Sequence, residues 1–197
     1  MTPSINKKLY PLSVSFKIIL LGLLWGAGIV FAYNNSNYTL VSARSFHDPV
    51  AMPYRLMIPE ISVDSPIEGV GVDQQGNMAV PSDAVHVAWY KYSSRPGATG
   101  VAVINGHMNT KYAPQAIFYK LDELERGDEI KIKTADAQIL VFRVTHKKEY
   151  PYDTPTEEIF LSQSETSKVN LITCSGEWLR DKKTYSKRLV VFTERVE

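Results

Sequence analysis

The stretch "DEIKIKTADAQILVFRV", residues 128–144, has the sequence pattern of a β-hairpin. In its first half, the apolar residues Ile130 and Ile132 alternate with charged side chains, which is typical of a strand with one buried face. The polar segment "TADAQ" at 134–138 then leads into the apolar run "ILVFRV". Because a short polar segment between two such runs favours antiparallel pairing, this part of the chain is predicted to be sheet.

Runs of the same kind occur on both sides of this hairpin. They are short, rich in Val, Ile, Leu and Tyr, and separated by Gly, Pro, Asp and Ser. The other runs are "YRLMIP", "ISVDSPIEGVGV", "VHVAWY", "GVAVING", "VNLITC" and "KRLVVFTERV". Helical structure is expected only in part of "APQAIFYKLDEL" and in a turn near "TPTEEIF". About eight strands with little helix predict an all-β fold, a closed or nearly closed β-barrel in which no strand edge is exposed. A two-sheet sandwich would produce a similar pattern.

The length and composition limit the functions open to the chain. Its 197 residues allow one globular domain plus an appendage, and 44% hydrophobic and 22% charged residues are ordinary values for a folded protein. The formal net charge is only +1. No nucleic acid is predicted as a partner, because proteins that bind nucleic acid need a basic face.

A membrane segment is predicted at 16–33, "FKIILLGLLWGAGIVFAY", which is apolar apart from Lys17. As a helix it would be about 27 Å long, close to the hydrocarbon thickness of a bilayer. Lys7 and Lys8 also lie on its N-terminal side, whereas the residues that directly follow it are uncharged. By the positive-inside rule, residues 1–15 are then cytoplasmic, and everything after the segment is extracytoplasmic.

Residues 34–53 are predicted to be a linker, because they are polar at first and later interrupted by Pro49 and Pro53. The globular domain is then expected to occupy 54–197. A cleaved signal peptide is the alternative to a retained anchor, since "VFA" at 30–32 resembles the pattern that precedes a cleavage site. The retained anchor is preferred, because the apolar run is longer than the apolar region of a usual signal peptide.

The stretch "NLITCSGEW", residues 170–178, contains the only cysteine of the chain, Cys174. It lies at the end of a strand-like run, just before a loop at Gly176, where a rigid element can present it to a substrate. Most cysteines in an oxidising compartment form disulfides, so an unpaired one is a candidate reactive thiol. A buried cysteine that acts as a small hydrophobic residue is an equally good interpretation of Cys174 alone.

A catalytic thiol needs an activating partner, because a free thiol is only slightly ionised at neutral pH. His107 is the best candidate of the four histidines, since it follows the buried-looking strand "VAVING", whose final Gly106 permits a close approach of the backbone. Arg188 opens the last strand, "RLVVF", and is a candidate to stabilise a thiolate or an oxyanion. Taken singly, a structural histidine and an arginine at a sheet edge are the more common interpretations.

The sequence combines a strand ending in Gly-His, a strand ending in Leu-x-Thr-Cys and an arginine that opens the next strand. This combination resembles the sortases, which are membrane-anchored cysteine transpeptidases mainly of Gram-positive bacteria. "NLITCSG" is similar to the family's Thr-Leu-x-Thr-Cys signature, with Asn170 in place of the first threonine, and "INGHMNT" is similar to its histidine segment. The resemblance covers residues 54–197. There the segments "RLMIP", "SVDSP", "GNMAVP" and "WY" resemble class F sortases most, and class E or D less.

The resemblance implies a fold, a reaction and a catalytic set. The fold would be a sortase-like closed β-barrel of about eight strands with few short helices, preceded by one transmembrane helix. Cys174 would attack the Thr–Gly carbonyl of a Leu-Pro-x-Thr-Gly-like sorting signal, His107 would protonate the departing amine, and Arg188 would stabilise the oxyanion. An amine of a peptidoglycan precursor or a pilin would then resolve the thioacyl-enzyme. The partners would be secreted proteins with C-terminal sorting signals, at the outer face of the cell membrane.

In sortases, the loop equivalent to "SGEWLRDKKTYSK", residues 175–187, helps to wall the substrate groove. Trp178 and Tyr185 are therefore candidate substrate contacts, and Thr173 is a third through a hydrogen bond near the site. No metal or cofactor is predicted, because one cysteine and dispersed histidines do not suggest a zinc site. The acidic "DELERGDE" at 122–129 lacks the alternating carboxylates of a calcium loop, so calcium modulation is not indicated.

Three other functions are compatible with parts of the sequence. An L,D-transpeptidase also uses a cysteine, but its His-Gly-Thr and Ser-x-Gly-Cys patterns differ from the Gly-His and Thr-Cys-Ser-Gly found here. A thiol hydrolase that releases the acyl group to water is not separated from a transpeptidase by the sequence. An anchored binding module, or a degenerate sortase, is disfavoured by the presence of all three catalytic positions. The sorting motif, the amine acceptor, the oligomeric state and the choice between anchoring and pilus polymerisation stay open.

Overall fold

The computed structural model of the protein describes residues 29–34, 37–42, 50–154, 157–160 and 164–196. The chain separates into two compact units, Met1–Pro49 and Val50–Glu197. In the first unit, strands β1 (Ile29–Asn34) and β2 (Asn37–Ser42) form a two-stranded antiparallel sheet.

This small sheet overlaps the predicted membrane segment at 16–33. The last part of that segment, "IVFAY", belongs to β1 and is strand rather than helix, in keeping with the high strand propensity of Ile, Val, Phe and Tyr. Residues 16–28 lie outside the described residues. Within the part of the chain that the structure describes, no helix is long and apolar enough to cross a membrane. The membrane anchor stays a prediction.

The second unit is built from eight strands that close into a barrel. They are β3 (Pro53–Ile58), β4 (Val63–Val70), β5 (Val87–Tyr90), β6 (Gly100–Gly106), β7 (Glu129–Thr134), β8 (Ile139–Pro151), β9 (Ser167–Leu179) and β10 (Thr184–Arg195). Their order around the barrel is β10-β8-β7-β3-β4-β5-β6-β9. The β4–β5 and β6–β9 pairs are parallel, and the other neighbouring pairs are antiparallel. The prediction of an all-β closed barrel is confirmed, and the two-sheet sandwich is excluded.

Helical structure in the described residues is limited to α1 (Glu157–Phe160) and two single 3-10 turns (Pro59–Ile61 and Leu121–Glu123). The helical structure expected in part of "APQAIFYKLDEL" is limited to the turn Leu121–Glu123. Before that turn, the backbone of the segment forms hydrogen bonds with residues distant in the chain. The N–H of Ile117 donates to the carbonyl of Ala84, and the N–H of Phe118 donates to the carbonyl of His107. These long-range bonds replace the helical ones and hold the segment against the barrel.

The hairpin predicted over 128–144 is present as β7 and β8, with Glu129 opposite Arg143. Ile130 and Ile132 are fully buried and belong to the main hydrophobic core, as their alternation with charged residues predicts. Every strand of the barrel contributes inward-facing side chains to this core. Its largest fully buried members include Phe118 and Phe142.

A second, smaller apolar cluster lies on the outer face of β8, β9 and β10, opposite the main core. It consists of Tyr150, Ile159 and Val190, packed against the partly buried Phe160, Ile172 and Phe192. Two of these residues belong to α1, so the short helix covers this face of β8, β9 and β10. Both faces of β9 and β10 are therefore packed, which makes these strands a rigid support for the side chains at their ends.

Candidate active site

The ends of β6 and β9 place His107 beside Cys174. These strands are parallel, and each paired β6 residue lies opposite the β9 residue 67 positions later, as Asn105 lies opposite Ile172. The same offset continues beyond the last pair, because the Thr173 hydroxyl donates to the carbonyl of the last β6 residue at 2.8 Å. One position further along both strands, the offset brings His107 next to Cys174.

On its other side, Cys174 pairs with Arg188 across the antiparallel β9–β10 ladder. His107, Cys174 and Arg188 therefore form a row across three neighbouring strands, whose spacing in a sheet is about 4.8 Å. The row lies on the outer face of the barrel. The alternate residues Thr173 and Leu189 are buried on the inner face, and side chains of a strand alternate between the two faces.

The glycine before His107 is required by the packing beneath it. A Cβ on Gly106 would lie 2.6 Å from Cδ2 of Phe118, whose ring is fully buried in the core. Real Cβ atoms do not approach a ring this closely, so any larger residue would displace the strand end. The close backbone approach inferred from the Gly-His pair is present, and it fixes where His107 leaves the strand.

A β-bulge directly after the cysteine bends the β9–β10 hairpin. Two residues of β9, Gly176 and Glu177, oppose the single Ser186 of β10. Gly176 has φ +76°, and a Cβ at this position would collide with Oγ of Ser186, which instead accepts the N–H of Glu177 at 2.9 Å. A bulge with a left-handed glycine increases the local twist. The hairpin is therefore bent just beyond the pair of Cys174 and Arg188.

The electrostatics of Cys174 are set by two opposing effects. Burial of the partly exposed side chain raises the pKa of the Cys174 thiol, and the positive charge of Arg188 opposes this rise. Burial is the larger effect, so the neutral thiol is favoured in the absence of substrate. Cys174 is the only cysteine of the chain, so it has no thiol of its own chain with which to form a disulfide.

The side chain of Arg188 runs back along β10 and is held by the start of that strand. Its Nη1 donates to the carbonyls of Tyr185 at 3.0 Å and Lys187 at 2.9 Å, and its Nη2 donates to Oγ1 of Thr184 at 2.9 Å. A guanidinium has five N–H donors. Two donors of Arg188 therefore have no acceptor among the described residues.

His107 and Cys174 line a cleft of about 450 Å³. Its wall is formed by the segment after β6 and by the bent hairpin, through the side chains of His107, Asn109, Thr110, Lys111, Cys174, Trp178, Lys183, Thr184 and Tyr185. Aromatic and hydroxyl side chains dominate the wall formed by the hairpin, and none of the described residues that line the cleft is a carboxylate.

A direct hydrogen bond joins the two walls of the cleft. Nδ2 of Asn109, in the segment after β6, donates to the hydroxyl of Tyr185 on the hairpin at 2.6 Å. The Tyr185 ring also meets the indole of Trp178 edge to face, with ring centres 5.2 Å apart. The hairpin is thus tied to the segment that carries His107.

The structure brings five of the six sequence-predicted site residues to one place. His107, Cys174, Trp178 and Tyr185 line the cleft, and Arg188 pairs with Cys174. Thr173 does not line it, since its side chain is buried on the inner face with its hydroxyl bonded to the backbone. The alternation of strand side chains explains this difference, because neighbours of Cys174 must face the other way.

Sequence reasoning missed other residues of the cleft, which are Asn109, Thr110, Lys111, Lys183 and Thr184. Asn109 and Thr110 belong to "GHMNT", so their closeness to His107 in the sequence could have predicted them. Thr184 reaches the cleft beyond the bulge, and nothing in the sequence around it indicates that it lies there. Among the described residues, no group of three or more His, Cys, Asp or Glu side chains is arranged to hold a metal ion.

Comparisons with known proteins agree with this geometry. A solved structure of sortase C-1 from Actinomyces oris superposes with a TM-score of 0.58 at 27% identity, covering 77% of this chain and 74% of that one. Sortase C-1 from Streptococcus pneumoniae gives 0.58 at 21% identity, covering 73% of this chain and 66% of that one. Sortase A from Corynebacterium diphtheriae gives 0.57 at 24% identity, covering 76% and 61%.

This chain therefore spans slightly less than two thirds of the Streptococcus and Corynebacterium proteins, as the 66% and 61% coverages state. A search of curated proteins found no match. The family model described as a Sortase domain matches residues 56–196, which comprise the whole barrel apart from the first residues of β3. The protein belongs to the sortase family.

Proposed function

We propose that this protein is a cysteine transpeptidase that cleaves a Leu-Pro-x-Thr-Gly-like sorting signal and transfers the protein to an amine. The observation that carries the proposal is the row in which Cys174 lies between His107 and Arg188, with His107 and Cys174 lining an open cleft. A nucleophile, a proton donor and an oxyanion donor are the three groups that acyl transfer needs.

The first half-reaction forms a thioester. The thiolate of Cys174 attacks the threonine carbonyl carbon, so a C–S bond forms and the carbonyl oxygen becomes an oxyanion. When this intermediate collapses, the C–N bond to glycine breaks, and the imidazolium of His107 gives its proton to the departing amine. The two donors of Arg188 that are not bound to the hairpin are the groups proposed to stabilise the oxyanion.

The second half-reaction consumes the thioester. An amine attacks the thioester carbonyl, a C–N bond forms, the C–S bond breaks, and the amine proton passes to His107. This step leaves Cys174 as thiolate and His107 as imidazolium, and between turnovers the proton returns to the thiol, whose neutral form burial favours. We propose a peptidoglycan precursor or a pilin subunit as the source of the amine, and water is the competing nucleophile that would give hydrolysis.

The substrates and the cellular position follow from the same proposal. Secreted proteins with C-terminal sorting signals are the donors, and the barrel acts at the outer face of the membrane, to which the predicted segment at 16–33 would attach it. The assignment to class F rests on segments such as "RLMIP" and "GNMAVP". Trp178 and Tyr185 are proposed to contact the sorting signal, because both line the cleft.

The test uses the full chain with fluorogenic Leu-Pro-x-Thr-Gly-type peptides, with and without an amine acceptor. Mass spectrometry follows an acyl adduct on Cys174, with Cys174→Ala as the control. An adduct that transfers to the amine supports the proposal, and an adduct that only hydrolyses indicates a thiol hydrolase. If no peptide acylates the protein and the thiol also resists iodoacetamide, the proposal fails in favour of a binding module.

A further inference from the structure

The hairpin residue Thr184 has an unusual place relative to the arginine of the catalytic row. It begins β10, four residues before Arg188, and it lines the cleft. Along a straight strand these two residues would be about 13 Å apart. The Arg188 side chain nevertheless reaches it, and Nη2 of the guanidinium donates to Oγ1 of Thr184 at 2.9 Å.

The three acceptors of Arg188 differ in kind. The carbonyls of Tyr185 and Lys187 belong to the backbone and are present whatever side chains stand there. The Thr184 hydroxyl is the only side-chain acceptor of this guanidinium among the described residues. It is also the only one of the three acceptors that bonds to Nη2, so it fixes the rotation of the guanidinium plane, which the two bonds at Nη1 leave less defined.

The orientation of Arg188 has a chemical consequence at Cys174. The charge of the guanidinium acts on the thiol from the neighbouring strand, and the two unengaged donors must point toward the developing oxyanion to be useful. A guanidinium free to rotate into solvent would stabilise the thiolate and the oxyanion less, because charge attraction weakens with distance and with hydration.

We propose that Thr184 is a positioning residue, whose hydroxyl orients the Arg188 guanidinium toward Cys174 and the reacting carbonyl. The effect on Arg188 and on the thiol follows from the structure alone, whereas the effect on turnover also rests on the proposed transpeptidase function. The two can be tested separately, because alkylation of the thiol requires no sorting peptide.

The experiment measures the rate of Cys174 alkylation by iodoacetamide in the full chain, from about pH 6 to about pH 10. Since the chain has one cysteine, the adduct mass reports this thiol alone. The variants are Thr184→Val, which keeps the shape but removes the hydroxyl, Thr184→Ser, which keeps the hydroxyl, Arg188→Gln, and the double variant Thr184→Val with Arg188→Gln. Thermal unfolding of each variant checks that it is folded.

Thr184→Val is expected to move the alkylation profile to higher pH and to lower the rate near neutral pH by roughly two- to fivefold, since a modest change in the distance of a partly solvated charge has a modest effect. Thr184→Ser should restore the unsubstituted profile, and the double variant should match Arg188→Gln alone. A Thr184→Val profile that coincides with that of the unsubstituted protein, or that moves to lower pH, would overturn the inference. So would a double variant whose shift exceeds that of Arg188→Gln, because Thr184 would then act independently of the arginine.

A second measurement, of kcat and KM for sorting peptides, separates this inference from the proposed function. If sorting peptides are cleaved, Thr184→Val should lower kcat more than it changes KM, because the oriented donors act on the oxyanion rather than on the bound substrate. An equal loss for Thr184→Ser would show that packing in the cleft matters instead of the hydroxyl. If no peptide is cleaved, the alkylation profiles still decide the role of Thr184.

Discussion

Cys174 and Arg188 are direct partners across the β9–β10 ladder, and the next pair along the ladder, Thr173 with Leu189, faces the core. This relationship places reactive groups and supporting groups on opposite faces of the same two strands. The outer face carries the thiol and the guanidinium, and the inner face anchors the strand on which they stand. Substitutions on the two faces should therefore have separable effects.

The first prediction concerns the inner face. Thr173→Val removes the hydroxyl that donates to the Gly106 carbonyl at 2.8 Å and leaves that buried carbonyl with one partner fewer. The expected loss is about 1–2 kcal/mol of unfolding free energy, measured by denaturant titration, because an unmet buried hydrogen bond costs about this much. Because the bond also fixes the end of β6 before His107, peptide turnover should fall as well.

The control for Thr173 is Thr193→Val. The Thr193 hydroxyl is also buried and bonds the backbone of Val169 across the β9–β10 pair, far from the row. Its removal should destabilise by a similar amount without changing the alkylation rate of Cys174. Identical behaviour of the two variants in both assays would contradict a positional role for Thr173.

The second prediction concerns the glycine before the histidine. Gly106→Ala would place a Cβ 2.6 Å from the buried Phe118 ring, so we expect about 1–3 kcal/mol of destabilisation from overpacking. Gly69→Ala is the matched control, since its Cβ would meet only the flexible Lys91 side chain at 3.4 Å. Combining Gly106→Ala with Phe118→Leu should recover part of the turnover, and a lack of any difference between the two glycine variants would argue against the steric explanation.

The third prediction is a pH dependence. Because burial raises the pKa of the Cys174 thiol and the Arg188 charge opposes the rise, Arg188→Gln should raise that pKa further. Below the pKa the thiol is protonated and unreactive, so the alkylation rate at neutral pH should fall and its rise with pH should begin at higher pH. Arg180→Gln, on the exposed hairpin tip, serves as the charge-matched control and should leave the profile in place. An unshifted profile for Arg188→Gln would show that the arginine charge does not reach the thiol.

The fourth prediction concerns the bond between the cleft walls. Tyr185→Phe removes the hydroxyl that accepts from Asn109 but keeps the ring against Trp178. Loss of one hydrogen bond of about 0.5–1.5 kcal/mol predicts a change of roughly two- to tenfold in kcat/KM for a sorting peptide. Tyr112→Phe is the control, because Tyr112 follows the cleft residues directly and is 87% exposed. If both variants match the unsubstituted enzyme, the bond between the walls does not contribute to substrate binding or turnover.

Much of the fold was accessible from local patterns. The hairpin at 128–144 was predictable because period-two alternation specifies both the strand and its buried face, as the buried Ile130 and Ile132 confirm. The segment "APQAIFYKLDEL" shows the limit of such patterns, because only its turn Leu121–Glu123 is helical. Its spacing of apolar residues fits a helix, yet backbone bonds to distant loops hold it in turns, and no local signal reports them.

The candidate site divides in the same way. Cys174, His107 and Arg188 were recognisable because each stands at a strand boundary with a distinctive neighbour. Thr173 was predicted as a substrate contact, and only the observed β9 register shows that its side chain faces the core. The approach of Thr184 to Arg188 depends on the bulge at Gly176, a property of two strands together that neither strand shows alone.

The parallel pairing of β6 with β9 also bears on how the protein comes to be active after synthesis. His107 and Cys174 are separated by 67 residues, and that interval contains β7, β8 and α1. Contacts between distant segments form late, because the entropy of closing a long loop must be met before the contact is made. We expect the thiol to meet its histidine only when the barrel closes, so that a chain that is still unfolded carries an ordinary cysteine. Pulsed alkylation during refolding would test this, since Cys174 should change its reactivity in the final phase rather than with the first strands.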